Sequence, residues 1–531
     1  MPLRSPLARW LLACAVAAAT AAAPARAQTP REPEPATPPA AARWGHEPEP
    51  AAPTVRSPAQ TPAPIESTES LAVTANGHAT RAAMSMLDRG GAAIDAAVAA
   101  QMVLTLVEPQ SSGIGGGGFL MHYAARERRV QAYDGRETAP AAADATLFDP
   151  PPGEPLRFEN VVVGGRSVGV PGLVRMLERA HREHGRLPWR VLFEPAIALA
   201  RDGFEVSPRL HALLAAERFL VRDPEAAAYF FDRDGRPHPI GHRLRNPLLA
   251  DTMTALALEG ADALHHGPIA RDIVARVRGH PRNPGRMTEA DLAGYRAIVR
   301  EPLCHVFRDH VVCGMPPPSS GAIAIAQILG MLEHLRFGGL ADPFGRLRER
   351  GVHAFLEASR LAFADRAHHV GDPQFTEVPP QLLSPSYLQR RATSIGPTAA
   401  GRVAPGRLGS NPAQTVEPPE PARPSTSHLS IVDADGNAVA LTSSIESAFG
   451  ARMMVRGFLL NNQLTDFSFG RDALAESGAN RVQPGKRPRS SMSPTLVFEA
   501  LEPAAAAPAF AAQPPPTVML ADGSARAPLG P

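Results

Sequence analysis

The residues best suited to chemistry form the run Ser425-Thr426-Ser427-His428, which follows a loop rich in proline and glycine and begins a predicted strand. A hydroxyl group alone is a weak nucleophile. If the chain is cut before Thr426, however, the new α-amine has a pKa of about 8 and lies beside the hydroxyl as a built-in base. Without further support, the same pattern is also typical of an ordinary loop residue at the start of a strand.

Two other motifs suggest chemistry but favour structural roles. Residues 165–169 fit the G-x-S-x-G pattern of serine hydrolases around Ser167, yet Val170-Pro171-Gly172 follows where a nucleophile elbow would turn into a helix. The glycine-rich residues 113–118 lack the lysine and the following helix of a phosphate-binding loop. We therefore predict a tight loop at Ser167 and close backbone packing along the glycine run.

The sequence contains no metal-binding motif, and we predict neither a metal nor a cofactor. It has no H-E-x-x-H motif, no cluster of cysteine and histidine, and no carboxylate-rich loop. The pairs His265-His266 and His368-His369 are typical of helix ends or surfaces. The acidic turn at residues 433–437 resembles a calcium loop, but Ser444 stands where an EF-hand requires glutamate.

Composition excludes several classes of protein. With 54 basic and 52 acidic residues, the formal charge of +2 is too balanced for a protein that binds nucleic acid through its phosphates. Small molecules or peptides are the expected partners. Hydrophobic residues at 44% and charged residues at 20% are typical of a globular chain. The 57 prolines, by contrast, predict long linker segments.

The N-terminus has the features of an export signal. Arg4 and Arg9 precede an apolar run, and Ala25-Arg26-Ala27 supplies a small-x-small cleavage pattern. We expect residues 1–27 to be a signal peptide, residues 28–66 to be a proline-rich linker, and the protein to be periplasmic or secreted. No segment is long and apolar enough to predict a membrane span.

Cys304 and Cys313 are the two cysteines that remain after the signal peptide. If Arg308-Asp309 forms a two-residue turn, the cysteines face each other across a hairpin, and an exported protein could oxidise them. Two buried thiols are the alternative, which we favour slightly on the sequence alone.

The elements that must position these residues mix helices and strands. Strands are predicted at residues 71–74, 119–123, 161–163 and 496–498, and as a hairpin formed by residues 428–432 and 438–443. Helices are predicted for two stretches between residues 75 and 107, and around residues 173–184, 196–201, 248–258, 323–334 and 352–369. The mixture predicts sheet covered by helices.

Several separated segments, in order, resemble the gamma-glutamyltransferase family (gamma-glutamyl transpeptidase, glutathione hydrolase proenzyme). The resemblance extends from about Ser70 to about Val497, and ordered motifs over that span are far more specific than any one of them. The segments are residues 113–119, 134–140, 167–172, 315–321, 426–428 with 435–437, 459–463 and 487–495.

The resemblance implies an α+β fold of the N-terminal-nucleophile hydrolase type, a four-layer αββα sandwich in which helices cover two stacked sheets. It also implies autocatalytic cleavage between Ser425 and Thr426, which separates a large subunit, residues 67–425, from a small subunit, residues 426–531. Thr426 would be the nucleophile of both cleavage and catalysis, and Ser444 matches the second hydroxyl beside it. The implied substrates are glutathione or other gamma-glutamyl compounds, with water, amino acids or peptides as acceptors.

The resemblance also assigns residues to the two charged groups of the gamma-glutamyl donor. Arg136 would bind the carboxylate, with help from the hydroxyls of Ser490 and Ser491. Gln463 and Asp466 would bind the ammonium group.

Two departures from the family pattern suggest an acylase as an alternative. Glu446 stands where the best-known members carry asparagine; it can still bind an ammonium group, or it indicates a cephalosporin-acylase-like substrate. The segment between Asp466 and Ser490 is also shorter than in lid-bearing members, which predicts a more open site.

A third departure lies beyond the strand at residues 496–498. The family continues there with a Ser-Pro-Gly-Gly-Ser turn that forms the oxyanion hole, whereas this sequence has a low-complexity tail, residues 501–531. The expectation is a fold that is incomplete at its C-terminus, with an inactive, truncated remnant as a further alternative.

Overall fold

The fold consists of short strands and longer helices, as given by a computed structural model. It describes residues 66–149, 157–335, 339, 342, 346–408, 426–468 and 478–499, together with the backbone of 518–519 and 525–526. The strands are Leu71–Thr74 (β1), Gly117–Ala124 (β2), Arg129–Asp134 (β3), Phe204–Glu205 (β4), Arg243–Leu244 (β5), Ile298–Arg300 (β6), Leu303–Phe307 (β7), His310–Gly314 (β8), Thr426–Val432 (β9), Ala438–Ser444 (β10), Met454–Val455 (β11), Phe458–Leu459 (β12), Thr495–Glu499 (β13), Val518–Met519 (β14) and Ala525–Arg526 (β15).

The helices lie mainly between β3 and β9 in the chain. They are Gly77–Asp88 (α1), Ala93–Val107 (α2), Phe158–Val161 (α3), Leu173–His184 (α4), Glu194–Asp202 (α5), Pro208–Ala216 (α6), Pro224–Phe230 (α7), Pro247–Glu259 (α8), Asp262–His265 (α9), Gly267–Arg278 (α10), Glu289–Gly294 (α11), Gly321–Glu333 (α12), Glu349–His369 (α13) and Pro385–Ala392 (α14). None of the helices in these described ranges is long and apolar enough to cross a membrane.

Two antiparallel sheets form the centre. The larger has the strand order β1-β9-β10-β2-β3-β6, and the smaller has the order β13-β8-β7. Phe119, Met121 and Ala440 of the larger sheet pack in one cluster with Cys313 of the smaller. The rings of Tyr123 and Phe498 also meet between the sheets, with centroids 4.8 Å apart. The two sheets therefore stack on each other through an apolar layer.

Helices cover the outer faces of both sheets. All residues of α2 are buried, as expected for a helix that is apolar on all sides, and it shares a core with Leu120 and Leu441 of the larger sheet. On the smaller sheet, Leu303 packs with Ala322 and Ile323 of α12. The result is the predicted four-layer αββα arrangement.

The β9–β10 hairpin is fixed by its acidic turn. Asp433 accepts hydrogen bonds from the backbone N–H groups of Asp435 and Asn437, at 3.0 and 2.9 Å. Its other carboxylate oxygen accepts from the N–H of Ala93, at 2.9 Å, where α2 begins. The carboxylate of Asp433 thus joins the hairpin to α2 and has a structural role.

Two sequence-based expectations are wrong, and others concern residues outside the described ranges. Cys304 and Cys313 pair across the β7–β8 hairpin and form a disulfide, so the favoured interpretation as two thiols is wrong. The strand predicted at residues 161–163 is also wrong, because residues 158–161 form α3, whose Phe158 and Val161 are buried in a cluster with Phe148. The signal peptide, nearly all of the linker, Ser425 and most of the tail lie outside the described residues.

Candidate active site

Thr426 is the first residue of β9, a strand whose side chains alternate between exposed and buried. The register places Thr426 opposite Ser444 of β10, which in turn lies opposite Gly117 of β2. The Thr426 hydroxyl donates to the Ser444 Oγ at 3.3 Å, and that oxygen also accepts from the N–H of Glu446 at 2.9 Å. The structure therefore brings together the two hydroxyls that the sequence predicted as a pair.

The glycine run packs against the backbone of Ser444 and Leu459. A Cβ atom on Gly116 would lie 2.3 Å from the carbonyl oxygen of Ser444, and one on Gly115 would lie 2.1 Å from the carbonyl oxygen of Leu459. No side chain fits at either distance. The predicted role of the run in close backbone packing is confirmed.

Arg136 follows β3 and is fully buried. Its backbone N–H donates to Asp134 at 2.8 Å, while Nε and Nη2 donate to the carbonyls of Pro488 and Arg489 at 3.1 and 3.0 Å. Nη2 also donates to the carboxylate of Asp466. Nη1 has no hydrogen-bond partner among the described residues.

Glu137 is a site component that the sequence analysis missed. It is fully buried, and its Oε2 lies 3.7 Å from Nη1 of Arg136. Neither carboxyl oxygen accepts a hydrogen bond within the described ranges. Burial raises the pKa of Glu137 to about 8, although the Arg136 guanidinium acts in the opposite direction. Its one signal in the sequence was its position directly after Arg136.

Glu137 also connects the arginine to the hydroxyl pair. A Cβ atom on Gly117 would lie 2.5 Å from Glu137 Oε2, so the carboxyl packs against the β2 residue that faces Ser444. The arginine, the carboxyl and the two hydroxyls are consequently parts of one site.

Gln463 and Asp466 occupy a single 3₁₀ turn, Gln463–Asp466. The backbone N–H of Gln463 donates to the Asn461 side chain at 2.9 Å, whereas its own side-chain oxygen is buried without a hydrogen-bond partner among the described residues. Asp466 was expected to bind an ammonium group. In the structure its carboxylate pairs with the Arg136 guanidinium, and the predicted contact with an ammonium group stays a prediction.

Glu446 lies two residues after Ser444, in the left-handed backbone region with φ of 77°. Its Oε2 accepts from the Ser447 hydroxyl at 2.5 Å and from the side-chain amide of Asn462. Asn462 directly precedes the turn that carries Gln463. These bonds hold the carboxylate beside the residue that precedes this turn.

Ser490 and Ser491 follow the two carbonyls that hold Arg136. The Ser490 Oγ accepts from the N–H of Met492 at 3.1 Å, and the Ser490 carbonyl accepts from the Ser320 hydroxyl at 2.8 Å. Ser490 is buried and Ser491 is exposed. Ser490 is thus anchored to the segment before α12, within two residues of the carbonyls that orient the guanidinium.

The unpartnered atoms of this site have complementary character. Arg136 offers a buried donor that makes no hydrogen bond, and Glu137 and Gln463 offer buried acceptors that make none, although Arg136 and Glu137 form an ion pair at 3.7 Å. Buried polar atoms normally have partners, and a buried atom without one is consistent with a catalytic or binding role. A molecule with a carboxylate and an ammonium group, held near the Thr426 hydroxyl, would satisfy both kinds of atom.

The other candidates have structural roles. The Ser167 hydroxyl donates to the carbonyls of Val162 and Gly164, at 2.7 and 3.1 Å, inside a buried 3₁₀ turn. His265 is buried, and its Nδ1 lies 2.9 Å from the carbonyl oxygen of Leu292. Across the described residues, no group of histidine, cysteine and acidic side chains is arranged to hold a metal ion.

Comparisons with known proteins agree with this geometry. Residues 79–508 match the gamma-glutamyltranspeptidase family. A glutathione hydrolase proenzyme of Pseudomonas aeruginosa is 37% identical over 439 residues, which cover 79% of this chain and 73% of the relative.

Two solved structures are also similar. A cephalosporin acylase from Bacillus halodurans has a TM-score of 0.68 and 26% identity, and the match covers 84% of this chain and 79% of that one. Helicobacter pylori gamma-glutamyltranspeptidase has a TM-score of 0.60 and 31% identity, covering 66% of this chain and all of that one.

The layered fold and these matches define an N-terminal-nucleophile hydrolase. Among such hydrolases, the chain belongs to the gamma-glutamyltranspeptidase family.

Proposed function

We propose that this protein transfers and hydrolyses gamma-glutamyl groups of glutathione or related compounds, with Thr426 as its nucleophile. The observation that carries the proposal is the combination of the Thr426–Ser444 hydroxyl pair with the unpartnered polar atoms of Arg136, Glu137 and Gln463. The names of the family and of its glutathione hydrolase relative support the same activity.

The proposed reaction begins with cleavage of the precursor between Ser425 and Thr426. The new α-amine of Thr426 then accepts the proton of the Thr426 hydroxyl, and Oγ1 attacks the gamma-glutamyl carbonyl. The C–N bond of the donor breaks, and the proton passes to the departing amine. Water or an amino-acid or peptide amine then attacks the resulting ester, which gives hydrolysis or transfer.

Substrate recognition follows from the charges of the site. Nη1 of Arg136 would bind the donor carboxylate, because a guanidinium forms strong charge-assisted hydrogen bonds with it. The Gln463 side-chain oxygen and the Glu446 carboxylate would accept from the donor ammonium. Asp466 would keep the Arg136 guanidinium oriented through their ion pair. Its turn also carries Gln463, which would accept from the ammonium.

Processing gives the most direct test. The purified protein is run on a denaturing gel, and the N-terminus of any small fragment is sequenced. We expect a fragment that begins at Thr426, with release of product from a gamma-glutamyl anilide, and we expect Thr426→Ala to remain a single chain. A wild-type chain that stays uncut and inactive would refute the proposal and favour an inactive remnant.

A cephalosporin-acylase-like amidase is the second candidate. It is favoured by Glu446, by the short segment between Asp466 and Ser490, and by the similarity to a cephalosporin acylase. Comparison of kcat/KM for a glutaryl amide and a gamma-glutamyl amide separates the two. The glutaryl group lacks the ammonium, so preference for it would assign the acylase activity.

We also propose that the protein is exported, on the basis of the signal-like residues 1–27. Expression in a Gram-negative host, followed by fractionation, should yield a periplasmic or secreted protein that begins near Gln28. An intact N-terminus in the cytoplasmic fraction would contradict export without affecting the proposed activity.

A further inference from the structure

A cavity of about 420 Å³ lies where α13 and α14 meet the segment that follows α14. None of its lining residues belongs to the candidate active site. Three arginines line this cavity, which we call the arginine cavity: Arg390, Arg391 and Arg407. Its other lining residues include Tyr387, Ser394 and Leu361.

The charges of the arginine cavity are unbalanced. Arg391 is paired, since its Nη2 donates to Asp365 at 2.9 Å. Arg390 donates to the backbone carbonyl of Ser386 at 3.2 Å, and within the described ranges no carboxylate pairs with it or with Arg407. Asp365 therefore offsets one of three positive charges, and none of the described lining residues is acidic.

Arg391, which lines the cavity, also has an unused buried donor. Nε of Arg391 is buried without a hydrogen-bond partner in the described part of the chain, although Nη2 of the same side chain makes three hydrogen bonds. Those bonds to Leu361, Asp365 and Ala404 hold the guanidinium in place. A fixed guanidinium with a free donor is prepared to bind an anion with little loss of side-chain entropy.

We propose that the arginine cavity binds a small anion that carries a carboxylate or phosphate group. A carboxylate and a phosphate each present two or more acceptor oxygens, and a guanidinium can donate to two of them at once. Such a ligand would join α14, through Arg390 and Arg391, to the segment that carries Arg407. It would also offset the positive charge of Arg390 and Arg407, which Asp365 leaves unbalanced.

Calorimetric titration at low ionic strength tests the proposal with two probes, inorganic phosphate and citrate. The wild-type chain should bind at least one of them saturably, and the probe that binds identifies the group recognised. Replacing both exposed arginines, as Arg390→Gln with Arg407→Gln, should raise that dissociation constant about tenfold or more. Arg271→Gln, an exposed charge change on α10, should leave it unchanged.

Two outcomes would overturn the proposal. One is the absence of saturable binding of both probes. The other is an unchanged dissociation constant in the double variant, which would place the anion elsewhere, for example at Arg136. Arg391 is kept intact in these variants because of its backbone contacts, and an unchanged Tm of the unliganded double variant shows that it folds. If the double variant does not fold, Arg407→Gln alone gives the same comparison.

Discussion

The two faces of β9 differ in what their side chains contact. Leu429 and Ile431 point towards the helices and are 1% exposed. Thr426 and His428 lie on the opposite face, which is shared with Ala440 and turned towards the smaller sheet, and both are exposed. Because the side-chain period of a strand is two, one short segment contributes to the core on one face and to the site on the other. Substitutions on the two faces should therefore have different consequences.

The largest expected effect is on the face that carries the hydroxyls. Thr426→Ala should prevent cleavage and lower kcat by about 10⁴-fold or more, since it removes the nucleophile. A gel and a turnover assay measure both. Ser430→Ala, two side chains further along the same face, should retain cleavage and activity. Equal loss in both variants would show that the face as a whole, rather than Thr426, is required.

The helix-facing side should instead control stability. Ile431→Ala should lower the free energy of unfolding by about 2–5 kcal/mol, because it leaves a cavity in the core. Val432→Ala, on the exposed face one residue later, should change it by less than about 1 kcal/mol. Denaturant titration measures both values. Similar losses in the two variants would contradict the assignment of faces.

Arg136→Lys tests whether the guanidinium next to the hydroxyl-bearing face of β9 binds the substrate. Lysine keeps the charge but cannot replace the several directed bonds of the guanidinium, so kcat/KM for a gamma-glutamyl anilide should fall about 10- to 100-fold, mainly through KM. Arg129→Lys, at the exposed first residue of β3, is the matched control. An unchanged KM in Arg136→Lys would remove Arg136 from substrate binding.

The last effect concerns the pH dependence of stability, which changes gradually over several pH units. The pKa of Glu137 is about 8 in the folded chain and near its ordinary value when unfolded, so the folded state retains a proton between about pH 4.5 and pH 8. Stability should therefore fall as pH rises through this window, by at most about 1.4 kcal/mol per pH unit. Glu137→Gln should remove this contribution. Parallel pH profiles of unfolding free energy for the variant and the wild type would contradict it.

Much of the fold followed from pattern alone. The helix at residues 173–184 was predicted with its observed bounds, and the β9–β10 hairpin was recognised from its alternation and its turn. The prediction of secondary structure failed where tertiary packing overrode the local conformational preference of the residues. Val161 was expected in a strand because β-branched residues favour strands, yet it ends a short helix whose burial against Phe148 determines its conformation.

The site was predicted less completely than the fold. Thr426 and Ser444 were expected together, and the register confirms that they are paired. The contact between Asp466 and Arg136 could not be inferred, because it joins residues 330 positions apart. Glu137 was missed for a similar reason, since a buried carboxyl with unpartnered oxygens is a property of the packed chain and not of its sequence neighbours.

The strand order of the larger sheet has a mechanical consequence for a protein cut before Thr426. β9 and β10 would belong to one fragment, while β1 and β2, which flank them on either side, would belong to the other. Separating the fragments would require the loss of these two backbone ladders, of the β8–β13 ladder in the smaller sheet and of the shared core at once. The cut chain should therefore not exchange its halves with other molecules under native conditions, and the two pieces should melt together as one cooperative body.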